Sequence, residues 1–386
     1  MRDDDPGYLT GILPETYVEG FHDAELVKKM KYRTLSPLTT KDGKPMLVSI
    51  LSFGASSLGG CFRDDTTAEE GVKVVHTALK SGINLIDVAA WYGHGLAERV
   101  LGMALKDVPR AAYYINTKCC RYKPDILEMF DFSAARTLAS IEESIERIGC
   151  TYLDAIQIHD PEYAPKLHGR ELSDPECIIY KETLPAMAQA KADGKVRFVG
   201  ITGFPLAIHV DLIANSPVPI DTCLSYCHYS MNDTSLVTEL LPHLNEKGIA
   251  LINASPISMG LLSSRGPPRW HPATAEIKKV SAEACAFCSE RGVDLSKLAL
   301  HFSLAEPAIP TTLVSTASSK RMQDNIRAVH ELGELSDVEK GAMEEVLEKF
   351  FRPLKNATWV DIEPNEYADL LKKARAGEAT GTLSTN

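Results

Sequence analysis

The most regular feature of this sequence is an alternation between short apolar runs and longer amphipathic segments. The apolar runs are rich in Val, Ile and Leu, which is typical of buried strands. Eight strands are predicted, with the sequences LVSILSFG, INLIDV, AYYINTK, LDAIQIH, VRFVGIT, DTCLSY, IALINAS and TTLVST. The segments between them, such as SAARTLASIEESIERIG, repeat apolar residues at three and four positions and so predict helices. Several of these segments end at a glycine suited to a helix C-cap: Gly82, Gly149, Gly194 and Gly248.

Eight strands that each precede a helix predict a parallel sheet closed into a (β/α)8 barrel of the TIM type, within the α/β class. The competing fold is a doubly wound open sheet, which normally carries G-x-G-x-x-G after its first strand. That fingerprint does not occur in the sequence. We expect residues 1–43 to form an N-terminal surface extension, residues 44–352 the barrel with some extra helices, and residues 353–386 a C-terminal segment.

Charge and composition narrow the range of partners. The net charge of -11 and a pI near 5.5 argue against nucleic acid or an anionic membrane as the main partner. No apolar run is long enough for a membrane span. The start of the chain lacks the basic and apolar parts of a signal peptide, so the cytoplasm is the expected compartment. The nine cysteines are expected to be reduced thiols, and Cys285 and Cys288 are interpreted as helix packing residues.

Four polar side chains lie where predicted strands end or in the loop that follows. Asp87 ends the second strand, Tyr92 follows in its loop, Lys118 ends the third strand and His159 ends the fourth. In a barrel, such residues share one mouth, which is where catalysis takes place. Each alone is explained by capping, an ion pair or packing, but together they suit proton transfer. We expect Lys118 to favour the phenolate of Tyr92, Asp87 to hold Lys118, and His159 to orient a substrate oxygen, with no metal required.

The motifs DVAAWYG, TK and IHD at these strand ends closely resemble the aldo-keto reductase superfamily, over roughly Leu47 to Leu332. Within it, GPPRWHPA and FVGITGFPLAI resemble the L-galactose dehydrogenase branch and its animal relatives. The resemblance implies hydride transfer between a nicotinamide cofactor and a substrate carbon, with Tyr92 passing the proton. It also implies oxidation of an aldose such as L-galactose at C1 to a lactone.

The resemblance further implies where the cofactor binds. The family's Ser-Asn pair is matched by Thr202 and Gly203, its Gln by Ser225, and its stacking Tyr by Ala254. The pyrophosphate loop and the adenosine end are matched by Ser255, Pro256, Gly260, Leu261, Ser315, Thr316, Arg321, Asp324 and Asn325. Ser315 and Thr316 replace a Lys-Ser pair that would bind a 2'-phosphate. The loss of that lysine favours NAD, while Arg321 leaves NADP open.

The sequence leaves the substrate open between a sugar and an aldehyde. Four residues are candidates for the walls of the substrate pocket: Phe53, Trp91, His94 and Tyr122. The rival functions are an NADPH-dependent aldehyde or ketone reductase and a non-catalytic nucleotide-binding subunit. The stretch from Glu162 to Tyr180 departs from the plant members of the branch and borders the predicted mouth. We expect a monomer or a weak dimer.

Overall fold

The structure is a computed structural model that describes residues 7–61, 67–380 and 383. Its centre is a closed barrel of eight parallel strands, as the sequence predicts. The barrel strands are β3 (Leu51–Gly54), β4 (Leu85–Asp87), β5 (Tyr114–Cys119), β6 (Leu153–His159), β7 (Val196–Gly203), β8 (Thr222–Tyr226), β9 (Ala250–Ala254) and β10 (Thr312–Ser315). They are neighbours in chain order, and β10 closes the ring by pairing with β3. All carboxyl ends therefore open at one mouth.

Helices surround the barrel, and at least one helix follows each barrel strand along the chain. They are α1 (Ala24–Lys29), α2 (Ala68–Lys80), α3 (Leu96–Leu105), α4 (Ala134–Ile148), α5 (Ala164–His168), α6 (Leu184–Ala192), α7 (Leu206–Asn215), α8 (Leu241–Lys247), α9 (Ala275–Ser289), α10 (Leu295–Ala305), α11 (Ser319–His330), α12 (Asp337–Val346) and α13 (Ile362–Arg375). Gly149 ends α4 in the left-handed conformation, with φ of 73°, as its predicted C-cap role requires. Helices α1, α5, α9, α12 and α13 are additions to the eightfold repeat.

A β-hairpin closes the amino-terminal end of the barrel. It pairs β1 (Tyr32–Thr39) with β2 (Pro45–Ser49) in antiparallel register. The first predicted strand is therefore two strands, since β2 belongs to the hairpin and β3 to the barrel. Leu35 and Met46 of the hairpin pack against the inward side chains of the barrel strands. The segment expected only as a surface extension thus buries apolar side chains, because the open end of the barrel exposes its core unless something covers it.

A second apolar core lies beside the mouth. It joins residues of α9, α10 and α12 to Phe204 at the end of β7 and to Trp359 of the C-terminal segment. The stretch from Glu162 to Tyr180 does not form an open loop, because Tyr163 is buried and stacks on Phe130 with centroids 4.4 Å apart. Within the described ranges, no helix is both long and apolar enough to cross a bilayer.

Candidate active site

The loop that carries Tyr92 is set by a close backbone approach. Gly93, His94 and Gly95 all have positive φ, so the chain turns back sharply after Tyr92. A Cβ on Gly59 would lie 2.5 Å from the backbone of Tyr92, and one on Gly93 would lie 2.4 Å from the Gly59 carbonyl oxygen. The loop after β3 therefore locks the loop after β4, and the two glycines make that contact possible.

The predicted charged pair lies beside Tyr92. Lys118 Nζ is 2.6 Å from Asp87 Oδ1 and 3.3 Å from Tyr92 Oη, and it also donates to the Val88 carbonyl oxygen. Asn116 Nδ2 donates to the second oxygen of Asp87 at 2.6 Å. Both charged side chains are almost fully buried. The structure thus brings Asp87, Tyr92 and Lys118 into direct contact.

His159 completes the group from the neighbouring strand β6. Its ring meets the Tyr92 ring edge-on, with centroids 5.9 Å apart. Burial lowers the pKa of His159 to about 3, although the nearby Asp160 carboxylate opposes the shift. The imidazole is therefore neutral near pH 7 and can hydrogen-bond a substrate oxygen without adding charge.

The electrostatics of Tyr92 differ from the sequence-based expectation. Burial raises the pKa of Tyr92 well above its ordinary value, and the carboxylate of Asp87 raises it further. Lys118 does not overcome this effect, because its charge is already balanced by Asp87 at 2.6 Å. Tyr92 is thus a phenol in this structure, suited to donate a hydrogen bond and to exchange a proton.

Two of the predicted substrate residues lie near the mouth. The Trp91 ring packs edge-on against His94, with centroids 5.0 Å apart, and the Arg121 guanidinium lies 4.1 Å from the Trp91 ring. The other two point elsewhere. Phe53 is fully buried in the layer between barrel and helices, and Tyr122 accepts a hydrogen bond from the Cys120 amide.

Phe53 and Tyr122 lie away from the mouth because of the direction in which each side chain points. Phe53 pairs in register with Ile86, and both point outward to the helices, because neighbours across a parallel ladder share a face. Tyr122 packs its ring against the guanidinium of Arg136 on α4. Neither residue therefore lines the substrate pocket, which corrects the sequence-based assignment.

A pocket opens at Asp160, the residue after His159, and we call it the mouth pocket. Its lining includes Arg121, Asp160, Glu162, Tyr226, Trp359 and Glu363. Sequence analysis assigned none of the six to the site, although it placed the stretch that begins at Glu162 at the border of the mouth. Asp160 and Glu162 extend the polar break after β6 and could have been recognised from it. Trp359 could not, because nothing in the sequence indicates that the C-terminal segment folds back over the mouth.

An ion pair forms one side of the mouth pocket. Arg121 Nη1 lies 2.6 Å from Asp160 Oδ2, and both side chains are buried. Asp160 has φ of 54°, a conformation that is uncommon for a residue other than glycine. The strain places the Asp160 carboxylate 3.7 Å from His159 Nε2.

The predicted cofactor residues follow the four remaining strands. Thr202 pairs in register with His159, and Gly203 pairs with Ser225. Ser225 is fully buried, and its Oγ has no hydrogen-bond partner among the described residues. The next residue, Tyr226, lines the mouth pocket and pairs in register with Ala254. The Tyr226 ring on β8 therefore lies one strand away from Ala254 on β9, the position where the family pattern has its stacking Tyr.

The segment after β9 has the backbone of a binding loop. Ser255, Ser258 and Met259 have positive φ of 61°, 47° and 51°. Such strain in residues other than glycine is concentrated at functional sites. Pro256 and Leu261 are buried and Gly260 is half-buried, so the predicted loop residues lie together at this side of the mouth.

The predicted adenosine residues follow β10. Ser315 Oγ accepts a hydrogen bond from the Ser57 amide, and Thr316 Oγ1 accepts one from the Ser318 amide. Arg321, Asp324 and Asn325 lie on α11, with Arg321 exposed. The structure therefore brings the predicted cofactor residues to consecutive strand ends, from β7 to β10.

Comparisons with known proteins agree with this geometry. The sequence model of the aldo/keto reductase family matches residues 50–348. The chain is 42% identical to L-galactose dehydrogenase of Arabidopsis thaliana, over 81% of this chain and 93% of that enzyme. It is 28% identical to D-arabinose 1-dehydrogenase of Saccharomyces cerevisiae, again over 81% of this chain and 93% of that protein.

A solved structure shows the same fold. The holo form of an aldo-keto reductase from Bacillus halodurans superposes with a TM-score of 0.62 at 25% identity, covering 82% of this chain and 96% of that one. The resemblance inferred from the strand-end residues is confirmed. The chain belongs to the aldo/keto reductase family and is an oxidoreductase of the kind that works with NAD or NADP.

Proposed function

We propose that this enzyme oxidises an aldose at C1 to a lactone with NAD as the hydride acceptor, and that L-galactose is its substrate. The observation that carries the proposal is the 42% identity to L-galactose dehydrogenase across nearly the whole of that enzyme. The yeast D-arabinose 1-dehydrogenase and a D-threo-aldose 1-dehydrogenase of Pseudomonas are similar at lower identity. Their names place oxidation at the same carbon of a sugar.

The reaction assigns a task to each member of the site. When bound, NAD would supply the hydride acceptor for C1, and the C1 hydroxyl loses a proton as the C1–O bond becomes a carbonyl. Tyr92 Oη takes that proton after its own phenol proton has passed to solvent. Lys118 Nζ at 3.3 Å reduces the cost of this phenolate, although the phenol is the resting form. Neutral His159 holds the C1 oxygen by a hydrogen bond. Asp87 keeps Lys118 in place, so it acts as a positioning residue.

The residues around the mouth fit a nicotinamide dinucleotide. The buried Ser225 Oγ lacks a partner within the described part of the chain, and polar atoms of this kind are usually satisfied by a ligand or water. Tyr226 offers an aromatic face beside Ala254, and the strained loop from Ser255 to Gly260 borders the same side of the mouth. These groups would hold the cofactor across the ends of β7 to β9.

The preference for NAD rests on the absence of a lysine at position 315, at the end of β10. Ser315 occupies that position, and its hydroxyl is engaged by Ser57. Arg321 is exposed and could meet a 2'-phosphate, as could its exposed neighbour Lys320. Titration of the wild-type enzyme with NAD and NADP by intrinsic fluorescence tests the proposal, and tighter binding of NADP would contradict it.

The decisive experiment is a steady-state assay of Tyr92→Phe with L-galactose. We expect kcat to fall by a factor on the order of 10² to 10⁴, because a positioned acid/base group is lost while the ring remains. Tyr152→Phe is the matched control, since the Tyr152 ring packs under the Arg110 guanidinium at 4.0 Å, away from the mouth. Full turnover by Tyr92→Phe would remove the proposed role.

The substrate is tested by a panel of aldoses and aldehydes, assayed in both directions with both cofactors. Preferred reduction of aldehydes with NADPH would instead support the rival reductase function. Sedimentation of the purified enzyme tests our further expectation of a monomer or weak dimer.

A further inference from the structure

Glu162 is a buried carboxyl group that the proposed reaction does not use. It follows His159 by three positions and is only 8% exposed. Its Oε1 accepts a hydrogen bond from the Phe204 amide at 2.9 Å. Its Oε2 has no hydrogen-bond partner among the residues that the structure describes. A buried polar atom of this kind is costly unless a ligand or water completes it.

The position of Oε2 depends on a glycine at the end of β7. A Cβ on Gly203 would lie 2.6 Å from both Glu162 Oε2 and Ile208 Cδ1, so a larger residue would have to displace the carboxyl group and the Ile208 side chain. The glycine does not have positive φ, so backbone conformation does not require it. The space above Gly203 is thus filled by a carboxyl group from the neighbouring loop, and Glu162 lines the mouth pocket from there.

This position lies on the path that the cofactor must take. The strained loop at Ser255 follows β9, while His159 ends β6, so a molecule that reaches from one to the other crosses the ends of β8 and β7. Its reactive ring has to lie beside Tyr92 and His159 for hydride transfer. Gly203 adjoins Thr202, which pairs with His159, so Glu162 Oε2 lies near the reactive end of that path.

We propose that Glu162 positions the nicotinamide ring by hydrogen bonding to its carboxamide group, from the space that Gly203 leaves open. The inference rests on the proposed use of a nicotinamide dinucleotide. A carboxamide carries both N–H donors and a carbonyl acceptor, so it can pair with a carboxyl oxygen in either protonation state. Burial and the charge of Asp160 raise the pKa of Glu162 well above its ordinary value, which allows the protonated form to donate to the carbonyl.

The test compares NAD with ADP-ribose, which lacks the nicotinamide ring but keeps the rest of the molecule. Dissociation constants are measured by calorimetry on the full-length enzyme. We expect Glu162→Ala to weaken NAD binding about tenfold, the loss of one buried hydrogen bond, and to leave ADP-ribose binding unchanged. Glu363→Gln removes a charge from another wall of the same pocket and is the control. It should change the dissociation constants of NAD and ADP-ribose by the same factor.

Gly203→Ala supplies a second, independent measurement. Its Cβ should push the Glu162 carboxyl group away and weaken NAD binding, again without affecting ADP-ribose. In the Glu162→Ala background, the same substitution should no longer weaken NAD relative to ADP-ribose, because the displaced carboxyl group is gone. The remaining clash with Ile208 should affect both ligands alike. Additive effects of the two substitutions would contradict the inference.

Glu162→Gln keeps the size of the side chain and an acceptor for the Phe204 amide, which guards against loss of folding. It should weaken NAD binding by a smaller factor than Glu162→Ala. The inference is wrong if NAD and ADP-ribose are weakened equally, or if only the KM for the sugar changes. Failure of the wild-type enzyme to bind NAD would instead overturn the proposed function, so the two failures are distinguishable.

Discussion

The two charges of the buried Asp87–Lys118 ion pair should depend on each other for the stability of the fold, and their coupling can be measured. The two side chains are 5% and 2% exposed, with Nζ and Oδ1 2.6 Å apart. Replacing one partner leaves a buried charge without its counter-charge, at a cost of about 3–5 kcal/mol. We therefore expect Asp87→Asn and Lys118→Met each to lower the free energy of unfolding by that amount.

The double variant should lose less unfolding free energy than the two single variants lose together. With both charges gone, neither of the introduced side chains needs a counter-charge, and replacing a buried pair with uncharged groups of similar volume is often nearly neutral. We expect the double variant to lose at least about 2 kcal/mol less than the two single losses combined. Urea denaturation followed by circular dichroism measures all four proteins.

The control is an ion pair of similar length at the surface. Lys123 and Glu128 lie 2.7 Å apart with each side chain 59% exposed, so solvent screens their attraction. The same cycle there should give no resolvable coupling. Additive losses at Asp87 and Lys118, or single variants as stable as the wild type, would refute the argument that burial makes these charges interdependent.

Three further outcomes follow from the site. Gly59→Ala should reduce kcat and destabilise the fold by about 1–3 kcal/mol, because its Cβ would lie 2.5 Å from the Tyr92 backbone. The control is Gly341→Ala on α12, whose Cβ meets open space, and it should stabilise the fold slightly. Burial raises the pKa of Tyr92, so sugar oxidation, which needs the phenolate, should accelerate as pH rises, and a pH profile that falls from pH 7 to 10 would contradict this. The pKa of His159 is lowered to about 3, against about 6.5 in the unfolded chain, so the unfolded state alone binds the proton between these values. The free energy of unfolding should therefore fall as pH drops from about 6.5 toward 3, as measured by urea denaturation. In His159→Asn this fall should be shallower. An equally steep fall in the variant would mean that the histidine is already charged in the folded state.

The strands and the four central residues were predictable because each leaves a local signature. A buried strand in a parallel sheet is an apolar run, and a polar residue at its end interrupts that run, as Asp87, Lys118 and His159 do. Because the carboxyl ends of all barrel strands meet at one mouth, counting strands was enough to bring these residues together. The glycines that end several helices were predictable for the same reason, because each follows directly after an amphipathic segment.

Other features depend on contacts between distant parts of the chain. Phe53 and Tyr122 were placed in the substrate pocket by residue type. The two faces of the strand that carries Phe53 cannot be told apart when both are apolar, and the direction of Tyr122, which follows β5, depends on its contacts with the Cys120 amide and Arg136. The pKa of Tyr92 depends on burial from every side, which no local pattern reveals. Likewise, the hairpin that closes the barrel resembled a surface extension, because its apolar residues are sparse and their partners lie on other strands.

The sequence by itself determined the barrel, the order of its strands and the four polar residues that lie together at its mouth, because these follow from periodicity and from where each strand ends. Only the tertiary structure decided which side chains face the mouth. It placed Glu162 above Gly203, Tyr226 beside Ala254 and Trp359 over the pocket. The physical reason is that side-chain direction, desolvation and long-range closure are set by packing, and packing is a property of the whole chain.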